Sequence, residues 1–248
     1  MQPNINELLL GALLIFLATT AGAALIYVVK NLSARSQAAL MSFSAGMMAF
    51  ASAEMFLQSE KMSGLLMTCT GIAVGAGTVL LFERLIPHIH SRMLKRGELE
   101  HSKKKAALLA GTIAIHNLPE GFAVASAFAS STPLGWLVAW TIAIQDIPEG
   151  FLVSAPASVY GIKKRMSFFY GAFSGFAEAV AVVIGFVFLG AIAPLIPISL
   201  AFSSGAMAYV VLVELLPDAF ASGRAKIASL AMIAGFLFAL LLAGIFAM

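Results

Sequence analysis

The sequence predicts an all-α integral membrane protein with eight transmembrane helices. Three observations point there: an apolar composition, eight apolar stretches of bilayer length, and basic residues gathered on one side. Of 248 residues, 60% are hydrophobic and 11% charged, with a mean hydropathy of +0.96. A soluble chain is about one quarter charged. A spanning helix needs about 20 mostly apolar residues, and stretches of that kind run over roughly 6–29, 34–57, 63–86, 106–129, 133–157, 166–190, 196–219 and 226–247. They leave no room for a separate soluble unit, so residues 1–248 are expected to form one transmembrane domain.

In the first stretch Glu7 is the only early charge. Its apolar run exceeds the 7–15 residues of a signal-peptide core, so it reads as a retained span. The second carries FSAGMMAF (Phe43–Phe50) and, toward its outer end, Glu54. Cys69, the one cysteine, lies in the third and reads as a small apolar packing residue, which excludes an intrachain disulfide. Between the third and fourth stretches, residues 87–105 form the one sizeable polar connection, with His88, His90 and His101. We read it as a solvated basic loop and assign those histidines no site. The fourth stretch holds IAIHNLPEGFAV (Ile113–Val124) and the fifth IAIQDIPEGFLV (Ile142–Val153). Glu178 is central in the sixth; the seventh carries FSSGAMAY (Phe202–Tyr209), then Glu214 and Asp218 toward its inner end; the eighth is apolar throughout.

The net charge is +3. With the N-terminus outside, the inner connections hold every one of the 15 basic residues except Lys61. Positive connections stay in the cytoplasm, so both termini are expected outside, in the periplasm of a multi-pass protein of the cell inner membrane. No folded basic surface supports nucleic acid as a partner.

The paired motif recurs at an offset of 29 residues, one span plus a short connection. Consecutive spans run oppositely, so the copies are antiparallel. The second and seventh spans, which share the FSxGxMA pattern, also point oppositely. Inverted repeats with a midplane site are a recurrent transporter plan.

On a helix, residues three and four apart share a face. His116 and Asn117 therefore lie beside Glu120, and Gln145 and Asp146 beside Glu149. Pro119 and Pro148 remove backbone donors and are expected to break the helix and free the carbonyls of Ile115 and Ile144. Gly121 and Gly150 allow close helix approach. At the centre of a bilayer an acidic residue costs about 2.5–3.5 kcal/mol, so Glu120, Asp146, Glu149 and Glu178 together would cost on the order of 10 kcal/mol if unpaired. No lysine or arginine occurs at that depth. The compensating charge must then be protons or bound cations. One imidazole, two side-chain amides and four carboxylates suit a borderline divalent ion, and two such ions balance four carboxylates.

HNLPEG with QDIPEG resembles the fourth- and fifth-span signatures of the ZIP (Zrt-, Irt-like protein) divalent-metal transporters, and Gln-Asp in the fifth span is most similar to the GufA-like bacterial branch. The resemblance covers essentially the whole chain. It implies a 3+2+3 helix arrangement and a central binuclear site. One metal would sit among His116, Glu120, Gln145 and Glu149. The other would sit among Asn117, Glu120, Asp146, Glu149 and Glu178. In this branch a second-span methionine approaches the first metal; Met48 is the matching position, with Met47 beside it. Glu54 is expected on the entrance path and Glu214 and Asp218 on the exit path.

The expected function is movement of Zn²⁺, with Cd²⁺, Fe²⁺ and Mn²⁺ as further cargoes, into the cytoplasm by alternating access. No cofactor is expected beside the transported metal. The expected partners are divalent ions and the lipid bilayer, and a homodimer is compatible with the sequence. Two other classes stay open. An intramembrane zinc enzyme of the H-E-x-x-H type needs a second histidine four residues on, and no span has one. A proton-coupled carrier of an organic substrate would use the acids as relays, without explaining why amides and a histidine share their faces.

Overall fold

The computed structural model describes residues 5–29, 32–85, 117–159, 162–221 and 223–246. Among them every regular element is helical. In chain order these are α1 (Ile5–Ala24), continued by a 3₁₀ turn over Leu25–Tyr27; α2 (Ala34–Ser63); α3 (Leu65–Leu85); α4, described over 117–130; α5 (Thr132–Val159); and α6 (Lys164–Ala191). A 3₁₀ turn at Ala193–Leu195 leads into α7 (Ile196–Val210), a π-helical turn at Val211–Leu215, α8 (Leu216–Ala221) and finally α9 (Ala225–Phe246).

Local chemistry sets the helix ends. The Ser33 side chain caps α2 by accepting from the Ser36 N–H at 3.1 Å, which satisfies one of the orphan donors of a first turn. α2 ends at Gly64, whose φ of 79° is in the left-handed region and lets the chain fold straight back into α3. Pro194 and Pro197 occupy first-turn positions before and within α7, where a missing N–H costs nothing.

Six helical segments are long and apolar enough to cross a membrane: Ile5–Tyr27, Ala34–Ser63, Leu65–Phe82, Lys164–Ala191, Ala193–Ala221 and Ala225–Phe246. α5 has 28 residues but carries QDIPEG and is not in that set. The chain is a helical, multi-pass membrane protein. Large apolar side chains point outward along α9 (Leu230, Leu241, Ile245) and α3 (Leu66, Val74, Leu81), as lipid contact requires and water would not tolerate over so large an area.

Two expectations change. α5 runs through Pro148 without interruption, and α4 is helical on both sides of Pro119. Each proline still removes its N–H, but packing of neighbouring helices against the motif keeps the turn closed. The one α-helical irregularity inside a described span lies elsewhere, at the π turn over Val211–Leu215. Pro217 follows it, and the ring of a proline clashes with the carbonyl four residues earlier, here Val213; widening the turn relieves that clash. Cys69 is exposed on α3 and does not pack inside, because lipid is as apolar as a core and exacts no penalty for a thiol.

The helices pack by close approach at glycine, and the approaches come in matched pairs. A methyl group at Gly46 would overlap the Met232 carbonyl of α9, and one at Gly205 would overlap the Ile72 carbonyl of α3. Gly235 meets the Phe43 carbonyl as Gly75 meets that of Phe202. In the motifs, Gly121 meets the Glu178 carbonyl of α6 and Gly150 meets the Thr19 carbonyl of α1. The matched positions differ by 159 residues (43 and 202, 46 and 205, 19 and 178), by 160 (72 and 232, 75 and 235) or by 29 (121 and 150). These backbone approaches, with that of Gly171 to the Gly150 carbonyl, join α1, α4, α5 and α6. They also join α2 to α9 and α3 to α7, and the Ser52 and Ser204 hydroxyls, each donating to the other's backbone carbonyl, hold α2 against α7 to give a second set of α2, α3, α7 and α9. Among the described residues none joins the first set to the second. Between the sets the described contacts include side-chain packing around Met48, Met55, Ile142 and Met207 and the edge-on rings of Phe122 and Phe202. They also include hydrogen bonds from Ser44 Oγ to the Gln145 carbonyl at 3.2 Å, Gln58 Nε2 to Ser130 Oγ at 3.3 Å and Ser130 Oγ to Met62 Sδ at 3.8 Å.

Overpacking a tight contact costs about 1–3 kcal/mol. Gly46→Ala is therefore expected to lower the thermal unfolding temperature in detergent. Gly77→Ala, where nothing lies within 4 Å of the new methyl, should leave it unchanged or slightly raised by helix propensity.

Candidate metal site

α4 and α5 each present one turn of polar residues to the space between α1, α2 and α6. Asn117 and Glu120 are buried on α4, and Gln145 and Asp146 on α5; Glu149 is partly buried, one turn after Gln145. The i, i+3 and i, i+4 spacings put the members of each group on one face, and the close approaches at Gly121 and Gly150 bring α6 and α1 against those faces. Glu120, Asp146 and Glu149 each place a carboxylate oxygen within 4.8 Å of the other two. Across the helix pair, Gln145 Nε2 donates to Glu120 Oε1 at 2.7 Å. Glu178 is fully buried on α6. It stands outside the close triad, on its Asp146 and Asn117 side.

The oxygens left over matter as much as those engaged. Glu120 Oε2, Gln145 Oε1, Asp146 Oδ1, Glu149 Oε1 and both Glu178 oxygens form no hydrogen bond of good geometry with any described residue. A buried carboxylate without a partner is expensive, and these are clustered. Oxygen atoms from four carboxylates and an amide, converging from three helices, can take one or two divalent cations with oxygen-rich coordination.

His116 lies outside the described residues, as do His88, His90 and His101. Met48 is buried with Ala123 and Val124 of α4 and Ala139, Ile142 and Ala143 of α5, one helical turn from Ser44, which touches Gln145. Met47 belongs to a different cluster, with Phe50, Leu137 and Ala239. The two methionines thus fall in different clusters, Met48 with residues of α4 and α5 and Met47 with residues of α5 and α9. Glu54 is partly buried on α2, Glu214 partly buried in the π turn, and Asp218 exposed on α8. None of the three joins the carboxylate group.

One contact of the cluster has no counterpart among the sequence-predicted residues. Thr19 of α1, 1% exposed, donates from Oγ1 to Asp146 Oδ2 at 3.1 Å and lies 2.9 Å from the Ile15 carbonyl of its own helix. Its signal in the sequence is faint: a TT pair before Gly22 in an apolar span.

The family model of the ZIP zinc transporters matches residues 86–243. This chain belongs to the ZIP family. It is 32% identical over 181 residues to the zinc transporter GufA of Myxococcus xanthus, an alignment covering 73% of this chain and 71% of that one. It is 33% identical over 246 residues to the zinc transporter ZupT of Chlorobaculum parvum, covering 91% and 92%. To the zinc transporter ZIP11 of Xenopus tropicalis it is 42% identical over 156 residues, covering 58% of this chain and 46% of the relative. The chain therefore spans less than half the length of its ZIP11 relatives. The resemblance of HNLPEG and QDIPEG to the ZIP signatures is borne out at the level of the family.

Packing four acidic groups into one buried region costs stability when no cation is present. Glu178→Gln keeps the shape and removes the charge. In chelator it is expected to raise the stability of the ZIP fold by about 1 kcal/mol, as relief of a functional site commonly does, while weakening metal binding. A fall in thermal unfolding temperature in chelator would contradict this.

Proposed function

We propose that this protein carries divalent transition-metal ions, Zn²⁺ foremost and Cd²⁺ as its laboratory surrogate, across the membrane into the cytoplasm. Fe²⁺ and Mn²⁺ are further cargoes that an oxygen-rich site accepts. The observation that carries this reading is the set of buried carboxylate oxygens on α4, α5 and α6 without hydrogen-bond partners among the described residues. The names of the relatives, zinc transporters, agree with it.

In this reading the metal site is binuclear and lies near the bilayer midplane. His116, Glu120, Gln145 and Glu149 hold one ion, with Met48 approaching it, and Asn117, Glu120, Asp146, Glu149 and Glu178 hold the other. Residues 1–248 form one transport domain of eight spans in a 3+2+3 order, with both termini outside and the connection at 87–105 in the cytoplasm. The membrane is the bacterial inner membrane, where the bacterial relatives would be expected. Glu54 receives the ion on the outer side; Glu214 and Asp218 lead it out on the inner side.

The way the helices are joined supports alternating access. The set that holds the carboxylates (α1, α4, α5, α6) is fastened internally by backbone approaches at glycine, and the other set by such approaches within the α2–α9 and α3–α7 pairs and by the Ser52–Ser204 hydrogen bonds between them. The boundary between them has adaptable methionine contacts and hydrogen bonds made by side chains, which break and re-form more readily than interlocked backbones. Movement of one set against the other would expose the site to each side in turn.

The test is uptake of Zn²⁺, Cd²⁺, Mn²⁺ and Fe²⁺ into proteoliposomes. Loss of a supporting partner around a metal typically costs 10–100-fold, and loss of a bridging ligand should cost at least about as much. Glu120→Ala and Glu149→Ala are each expected to reduce flux by more than about tenfold. Flux equal to that of the unsubstituted protein in both variants would end the assignment.

A further inference from the structure

We propose that Thr19 is a positioning residue of this metal site, holding Asp146 by one carboxylate oxygen so that the other faces the ion. The inference rests on the reading of the site given above. Two independent observations carry it.

The first is the hydrogen bond. A threonine hydroxyl inside a helix is satisfied by the carbonyl one turn back, and Thr19 Oγ1 lies 2.9 Å from the Ile15 carbonyl. The same hydroxyl is also 3.1 Å from Asp146 Oδ2. It has one hydrogen to share between two acceptors, and the bond to the ionised carboxylate is the stronger. Asp146 Oδ1 forms no hydrogen bond of good geometry with any described residue, and Glu178 stands beside this carboxylate. The carboxylate is thus held at one oxygen and open at the other, the arrangement by which outer partners orient metal ligands. The threonine is itself confined: a methyl at Gly175 would stand 2.7 Å from Thr19 Cβ and 3.0 Å from its Oγ1, so α6 lies directly against it.

The second is the matched packing. Gly150 of the fifth-span motif rests on the Thr19 carbonyl as Gly121 of the fourth-span motif rests on the Glu178 carbonyl. Thr19 therefore occupies on α1 the place that Glu178 occupies on α6. Thr19 faces Asp146, four before Gly150; Glu178 faces Asn117, four before Gly121, and stands beside Asp146 as well. One half supplies a carboxylate beside an amide, and the other a hydroxyl beside a carboxylate. A carboxylate at both places would add a fifth negative charge to four that two divalent ions already balance. A hydroxyl supports Asp146 without adding that charge.

The experiment uses the full-length protein carrying Thr19→Val, Thr19→Ala, Thr19→Ser or, as a control, Asp146→Ala. Equilibrium binding of Zn²⁺ and Cd²⁺ is read beside KM and kcat for uptake in proteoliposomes, and folding is checked by thermal unfolding in chelator. Thr19→Val and Thr19→Ala are each expected to weaken metal binding and raise KM by about tenfold, with kcat little changed. Thr19→Ser, which keeps the hydroxyl, should stay within about twofold of the unsubstituted protein. Weakened binding in Asp146→Ala together with unchanged binding in folded Thr19→Val and Thr19→Ala would overturn this inference alone. So would Thr19→Ser impaired as much as Thr19→Val, since the methyl group and not the hydroxyl would then be at work. Unchanged binding in Asp146→Ala would overturn the underlying reading of the site.

Discussion

Four carboxylic side chains share a buried space at whose depth the sequence offers no lysine or arginine. At low dielectric, like charges a few ångströms apart repel by several kcal/mol even at an effective constant near 20. Glu120, Asp146 and Glu149 come within 4.8 Å of one another, with Glu178 beside them. Every other feature of the centre can be read as serving that crowding. The turns around Pro119 and Pro148 stack donors on one face of each helix. Gly121 and Gly150 bring α6 and α1 close enough to enclose them. Gln145 supplies a neutral donor to Glu120, and Thr19 supplies one to Asp146. Both donors support the acids without discharging them, which leaves the charge available for an ion.

The same glycines organise the rest of the molecule. In a membrane, helices gain nothing by burying apolar surface against one another, because lipid is equally apolar. Backbone-to-backbone approach at small residues is then a principal source of adhesion, through dispersion and weak Cα–H···O contacts. Here such approaches hold α1, α4, α5 and α6 together and pair α2 with α9 and α3 with α7, the pairs being joined by the Ser52–Ser204 hydrogen bonds, with less interlocked contacts between the two groups. A protein whose cohesion is distributed this way can keep its binding group rigid while its position changes. Rigidity matters for selectivity, since a ligand set that relaxes around any ion discriminates poorly.

Much of this was legible in the sequence, for identifiable reasons. Helical periodicity is strict, so the spacing of Asn117 and Glu120, and of Gln145, Asp146 and Glu149, already placed each group on one face. The doubled motif pointed to two helices meeting. Other features were not legible. Loss of an N–H at Pro148 is certain from the residue, but whether the helix opens depends on the neighbours that hold it, and here it stays closed. The π turn before Pro217 depends on how Val213 accommodates the ring. Burial of Cys69 could not be read because lipid and protein interior look alike to an apolar span. Thr19 escaped notice because hydroxyls in membrane helices usually bond their own backbone; its meaning comes from Asp146, 127 residues away. The different packing of Met47 and Met48, one residue apart, needed the facing helices.

The claim beneath the account is that positive ions from solution neutralise these side chains in the interior. The most direct measurement is anomalous diffraction from crystals of metal-stripped protein soaked in Cd²⁺. The account predicts two peaks per chain, one on each side of Glu120 and Glu149 between α4 and α5, the second reaching Glu178. A crystal diffracting well enough to show sulfur at the methionines, yet with no cadmium among these carboxylates, would contradict it.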